Sequence, residues 1–209
     1  MNLEYREFPV EELRFSHESD KIKTLRGYAA VFGKLSEELG GFREKIAPGA
    51  FAKTLIKADV RLLINHKDLP LARTKSGTLL LSEDENGLRF EAGLDATDPD
   101  VQRLIPKMER GDLNQMSIGF FTISDKWEHP AEQKAGGSIR TLLEVELCDI
   151  SVVTFPAYPQ TSVNIRSTKD VYDSYLTSLR AQEDVIKIGL RRAQEAHRER
   201  LIKIRGYIV

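Results

Sequence analysis

Up to about residue 166, short alternating or wholly apolar runs are punctuated by Gly, Pro, Asn and Asp. Such runs read as β-strands. They fall at 24–32 (TLRGYAAVF), 60–65, 78–82, 88–94, 116–124 and 139–154. The sequence EDENG at 83–87 has the turn chemistry of a hairpin joining two of them. Two helices interrupt the strands. Ala47-Pro48-Gly49 opens one that runs through Phe51 and Leu55, with Pro where a first helical turn tolerates it. Thr97-Asp98-Pro99-Asp100 caps a second and Gly111 stops it. Pro106 lies inside that helix and predicts a kink or a split, because it removes an intrahelical donor. Residues 126–137, with Trp127 and a Gly-Gly pair, read as a long mobile hairpin loop. Many short strands with two inserted helices predict an α+β fold, mainly β: a closed or partly closed β-barrel with flanking helices.

The pattern changes near Ser167. Beyond it Pro is absent and helix formers dominate. Leu176, Leu179, Ile186, Leu190, Ala193, Leu201 and Ile204 fall three or four apart along a ladder whose gaps hold Glu183 and His197. That spacing lines one helix face and approaches a heptad seam. Residues 1–166 are therefore expected to form the main domain, and 167–209 a helical tail. A stripe so narrow on so polar a tail suits a partner, or a second copy in a homo-oligomer, better than its own domain. Charge divides at the same place: 167–209 carry 9 Lys/Arg and 6 Asp/Glu (+3), the preceding residues 22 and 26 (−4). The closing RGYIV reads as a docking or cleavage segment.

Composition narrows the function classes. In 209 residues, 41% hydrophobic content excludes a wholly disordered chain, while 30% charged residues argue against an integral membrane protein. No run approaches the ~18 apolar residues of a membrane span. The opening MNLEYREFPV lacks the basic-then-apolar order of a secretory signal. A single cysteine, Cys148, excludes an internal disulfide and fits a reducing, intracellular setting. The net charge of −1 argues against bulk nucleic-acid binding.

Candidate chemistry is restricted. Four scattered histidines and one cysteine give no metal-ligand spacing, and no phosphate-binding glycine loop occurs, so neither metal nor cofactor is expected. Cys148, between Leu147 and Asp149 with Ile150 beyond, reads as a buried structural thiol rather than a nucleophile. That leaves Ser, His and Asp/Glu. Val60, Leu62, Ile64 and His66 share one strand face by alternation, so His66 is either a base at a strand's end or a satisfied core histidine. In Leu143–Val153 the odd positions are Leu, Val, Leu, Asp149, Ser151 and Val, which puts Asp149 on an apolar face. A charge kept there needs a partner such as an imidazole, unless a bulge turns it outward. Glu144 and Glu146 fall on the opposite face. Ser117 has Gln115 and Gly119 as same-face neighbours, and Gly119 leaves room for close approach.

Five segments in order carry a resemblance. They are Gly27-Tyr-Ala-Ala-Val-Phe32, Ile46-Ala-Pro-Gly-Ala-Phe51, and Leu62–Asn65 followed by His66-Lys67. Asn114-Gln-Met-Ser-Ile-Gly-Phe120 and Leu147-Cys-Asp-Ile-Ser-Val-Val-Thr-Phe-Pro-Ala157 complete the set. Together, across about residues 27–165, they resemble the tailed-phage prohead (capsid maturation) protease family, regarded as distantly similar to the herpesvirus protease assemblin. The resemblance implies a serine endopeptidase with Ser117 as nucleophile and His66 as general base. Asp149 matches the family's acidic place before a hydrophobic-Ser pair and is preferred as third member, with His129, by analogy to assemblin, and Glu146 as the alternatives.

The resemblance also implies a setting inside the immature capsid in the host cytoplasm. There the enzyme would cut the scaffold segment from the major capsid protein, and also itself, the tail being a packaging or self-removed segment. No nucleic-acid or membrane partner is implied. Two rival readings stand beside it. One is a non-catalytic scaffold protein on the same fold; the other is a hydrolase of small esters.

Overall fold

A computed structural model describes residues 2–9, 14–17, 21–129, 137–154, 170–182, 184–190 and 192. The chain divides into two compact units, Met1–Thr168 and Lys169–Val209. The first unit is α+β and mainly strand. Its elements are β1 (Leu3–Pro9), β2 (Arg14–His17), β3 (Ile22–Val31), β4 (Phe42–Ile46), α1 (Ala52–Lys57), β5 (Arg61–Ile64) and β6 (Lys67–Arg73). They continue with β7 (Leu79–Glu83), β8 (Gly87–Asp95), α2 (Pro99–Glu109), β9 (Gln115–Glu128) and β10 (Ser138–Val153). In the second unit, residues 170–182 and 184–190 are helical, and Ile186 and Leu190 of the apolar stripe are exposed. Ala193, Leu201, Ile204 and the closing RGYIV lie outside the described residues. Among the described residues, no helix is long and apolar enough to cross a membrane.

The strands form a six-stranded sheet in the order β1-β9-β10-β5-β6, with β4 also on β10, and a four-stranded sheet β2-β3-β8-β7. Among the described residues neither sheet closes on itself. One core joins them: Met116, Ile118, Phe120, Leu62 and Ile150 from the first pack with Leu25, Phe90, Ala92 and Leu94 from the second. Several strands alternate toward this core, which is why period-two patterning located them. The expected hairpin is present, with Asp84 Oδ1 accepting from the backbone N–H of Asn86 and Gly87.

Several strands were missing from the sequence reading. β1 and β4 carry too many charged residues to look like strands, β2 (RFSH) shows no apolar alternation, and β6 contains Pro70, which an edge strand tolerates. Of the expected loop at 126–137, residues 126–128 belong to β9, which continues through Glu128, and residues 130–136 lie outside the described residues. Arg140 lies over the Trp127 ring and Phe42 packs against it, which extends the pairing with β10. Pro106 does not split α2, whose single helix runs from the Asp98 cap to Arg110.

What makes β1 and β4 strands is a buried ion network. Arg6 reaches Glu4 at 2.6 Å and Glu44 at 2.7 Å, while Arg140 reaches Glu4 at 2.7 Å, Glu44 at 2.9 Å and Asp125 at 2.6 Å. Burial pushes the Glu4 carboxyl up, but Arg6 and Arg140 outweigh it and hold the group below its usual range. Its contribution to stability is therefore complete above about pH 4.5 and is lost as pH falls through the lowered folded value. Removing one member leaves buried charge unpaired, which costs about 3–5 kcal/mol. Arg140→Met should lower the melting temperature by roughly 10 °C for a domain this size, as thermal unfolding followed by circular dichroism would show.

Candidate active site

The chain from β4 to β5 runs along one edge of β10. β4 pairs in parallel with Ser138–Leu142, and β5 pairs in parallel with Asp149–Val152. Between them, the N–H groups of Val145 and Leu147 donate to Ala50 O and to Thr54 Oγ1 at the start of α1. β5 then ends in a two-residue turn, Asn65–His66, closed by the Ile64–Lys67 pair. Both residues have left-handed backbone, with φ of 52° and 58°. This is the turn geometry that hairpins favour. For a histidine it costs roughly 1–3 kcal/mol, which surrounding contacts must offset. Asn65 supplies some of them. Its N–H donates to Val152 O, its Nδ2 to Thr154 Oγ1, and its Oδ1 accepts from the Thr154 N–H, each at 2.9 Å.

His66 is therefore not the last residue of an apolar strand face, as alternation suggested. The turn carries it to the other face of the six-stranded sheet. Asp149 changes face as well, through a bulge. Leu147 lies opposite Phe120 and Asp149 opposite Gly119, so Cys148 is the extra residue. Before the bulge, Val145 and Leu147 face the core; after it, Ile150 and Val152 do, opposite Ile118 and Met116. Asp149 and Ser151 consequently share the far face with Gly119 and Ser117. The unbroken alternation from Leu143 was mistaken at its other end too, where a further irregularity leaves Leu143 exposed.

On that far face three side chains meet. Asp149 Oδ1 lies 2.5 Å from His66 Nδ1, and Ser117 Oγ lies 2.6 Å from His66 Nε2. A carboxylate only accepts, so Nδ1 carries the imidazole proton and Nε2 accepts from the Ser117 hydroxyl. Ser117 is fully buried and Asp149 is 8% exposed. Such a relay can remove a proton from an attacking hydroxyl and hold it on a ring whose charge is compensated.

Two residues around the relay, Ser151 and Tyr5, were not singled out from sequence, and a third, Gly119, was marked only for the room it leaves. Ser151 Oγ accepts from the His66 backbone N–H at 3.1 Å and donates to Asp149 Oδ1 at 2.9 Å, bracing turn and carboxylate together. It was visible as the same-face neighbour of Asp149, with nothing in the pattern to mark its hydrogen bonds. Tyr5 packs its ring against His66, centroids 4.2 Å apart, and belongs to the strand that charge had hidden. Gly119 is a spatial requirement: a Cβ there would sit 2.3 Å from Asp149 Oδ2 and 3.0 Å from Tyr5 Cε1. Gly119→Ala should therefore displace Asp149 and cut cleavage about 100-fold or more. A melting temperature changed by only a few degrees, beside that loss of activity, would separate displacement from unfolding.

The other candidates lie elsewhere. His129 Nδ1 is 2.7 Å from Ser138 Oγ, at the far end of the β9–β10 hairpin. Asp149 is eleven residues along β10 from Ser138, roughly 35 Å at strand rise. Glu146 is exposed and pairs in register with Phe121. Cys148, at the bulge, is partly buried; burial, with Asp149 and Glu146 nearby, pushes its thiol up, away from a nucleophilic thiolate.

A serine at the end of such a relay defines a serine hydrolase by its chemistry, and comparison with known proteins makes the class narrower. Residues 11–174 match the model of the caudovirus prohead serine protease family, so the chain belongs to that family and is a serine peptidase of phage head maturation. Among curated proteins it is similar to the prohead protease of Enterobacteria phage HK97. The two are 28% identical over 167 residues, which cover 78% of this chain and 68% of the phage protein. No solved structure matches the chain significantly.

Proposed function

We propose that Ser117, His66 and Asp149 are the catalytic triad of this peptidase, and that it cuts the scaffold segment from the major capsid protein inside the prohead of the host cell. The observation that carries the reading is the unbroken hydrogen-bonded chain from Asp149 through both ring nitrogens of His66 to Ser117. Ser117 Oγ attacks the scissile carbonyl carbon as its proton passes to Nε2, forming a tetrahedral adduct and an imidazolium. Asp149 compensates that charge and holds the ring's tautomer. Collapse of the adduct breaks the C–N bond, and the Nε2 proton goes to the leaving amine. Water then repeats the sequence on the acyl-enzyme, returning Ser117. Backbone N–H groups must serve the oxyanion.

Both edge strands of the larger sheet, β1 and β6, approach strands of the smaller one, as in a partly closed barrel. Self-cleavage and a self-removed tail are further parts of the proposal, as are a homo-oligomer and the absence of nucleic-acid or membrane partners. The test is co-expression with the capsid precursor carrying its scaffold segment. A discrete fragment pair, identified by mass and lost when His66 is replaced by alanine, is the expected result. A precursor that stays whole in an assembled prohead would favour the non-catalytic scaffold protein instead.

A further inference from the structure

β1 precedes the residues that match the family model, yet it lies directly beside the strand of Ser117. Its register places Tyr5 opposite Gly119 and Glu7 opposite Ser117. Residues so opposed share a sheet face, their Cβ atoms about 5 Å apart. Glu7 is thus on the same face as the relay, immediately across from the attacking hydroxyl.

Among the described residues, this carboxylate keeps one oxygen without a partner. Glu7 Oε2 is buried without a hydrogen-bond partner, and so is Gln115 Oε1, two residues from Ser117 on the same face. Burial pushes the Glu7 carboxyl up to about 7. Elsewhere on β1 the acidic side chain is handled differently, since Glu4 is met by two arginines. Buried acceptors left open at a reaction centre are what an incoming donor would fill.

We propose that Glu7 is a specificity-determining residue, whose carboxylate receives the cationic side chain of a substrate Lys or Arg on the acyl side of the scissile bond. This rests on Ser117 being the nucleophile. The residue whose carbonyl is attacked has its Cα bonded directly to the carbon that Ser117 meets, so its side chain starts close to the β1–β9 pair. A carboxylate and an amide oxygen, both unpaired, offer the acceptors that an ammonium or guanidinium requires, whereas an aliphatic side chain would leave them unsatisfied.

The test uses the whole protein and covalent probes of the serine, read by peptide mass mapping. The probes are the diphenyl phosphonates of lysine and of norleucine, which differ in the ammonium, with diisopropyl fluorophosphate as a probe of no side-chain preference. The lysine phosphonate should modify Ser117 at least about tenfold faster than the norleucine one. In Glu7→Gln that ratio should fall to near one through loss of the lysine rate. In Glu7→Lys the glutamate phosphonate should become the faster reagent, an outcome that mere loss of folding would not produce. Equal lysine and norleucine rates in a protein that diisopropyl fluorophosphate modifies at Ser117 would overturn the proposal and leave the nucleophile intact. So would a lysine preference surviving in Glu7→Gln. Failure of every reagent, the fluorophosphate included, to modify Ser117 would overturn the nucleophile and this proposal with it.

Discussion

Ser117→Ala should leave the chain whole under conditions in which the wild type cuts itself or its substrate. The expected loss is at least about 10⁴-fold, since a triad without its nucleophile keeps only what binding and oxyanion stabilisation supply. The measurement is the intact mass of both proteins after days at high concentration. A clip near the tail in wild type alone is the expected result, and its mass identifies the cut. Folding should survive, because the change removes one oxygen from a position already paired across β1 and β10. The hydroxyl's hydrogen bond is to His66, which can take water instead. Continued cutting by a pure Ser117→Ala sample would remove Ser117 from the mechanism.

Asp149→Asn carries the second large effect. Asparagine has nearly the volume of aspartate, so Gly119 and Tyr5 still accommodate it. Its amide, though, cannot both accept from His66 Nδ1 and Ser151 and compensate an imidazolium. A fall in kcat of about 10³–10⁴-fold is expected, most of it from the wrong imidazole tautomer. Glu144→Gln is the control on the same strand. Glu144 pairs at 2.6 Å with Lys53, whose side chain is 74% exposed, and such a surface pair is worth at most about 1 kcal/mol. Its loss should leave cleavage within about twofold. Equal effects of the two substitutions, in kcat measured on a common peptide, would assign the third role elsewhere.

Much of the frame was legible in one dimension. The strands that alternate cleanly, β3, β7, β8 and the first half of β9, bury one side chain in two against a single core, and that rule acts residue by residue. The Asp98 cap and the 83–87 turn are equally local, since each is made by side chains bonding their own backbone neighbours. β1 and β4 escaped because the charges of Glu4 and Glu44 are met by Arg6 and by Arg140, the latter more than ninety positions away. No window of sequence contains that pairing. β2 was lost for want of any apolar alternation, and β6 through Pro70.

The site divides along the same line. His66, Ser117 and Asp149 were named from residue type and from a resemblance in ordered motifs, but the physical reasons offered for two of them did not survive. Asp149 is not a charge on the core face, and His66 does not extend an apolar strand. One inserted residue, Cys148, reverses the alternation of β10, and two left-handed residues turn the chain over. Each is a shift of a single position that pattern counting cannot register.

By itself, then, the sequence determined the mixed, mainly β character, the change of pattern at the tail, and the short list of groups able to do acid–base work. These follow from local rules of burial, capping and side-chain chemistry. Only the tertiary structure decided which face those groups share, that Ser151, Tyr5 and Gly119 surround them, and that Glu7, across from Ser117, keeps an oxygen without a partner among the described residues. Such facts depend on register and bulges between strands distant in the chain, where a one-residue slip moves a side chain to the opposite side of the sheet.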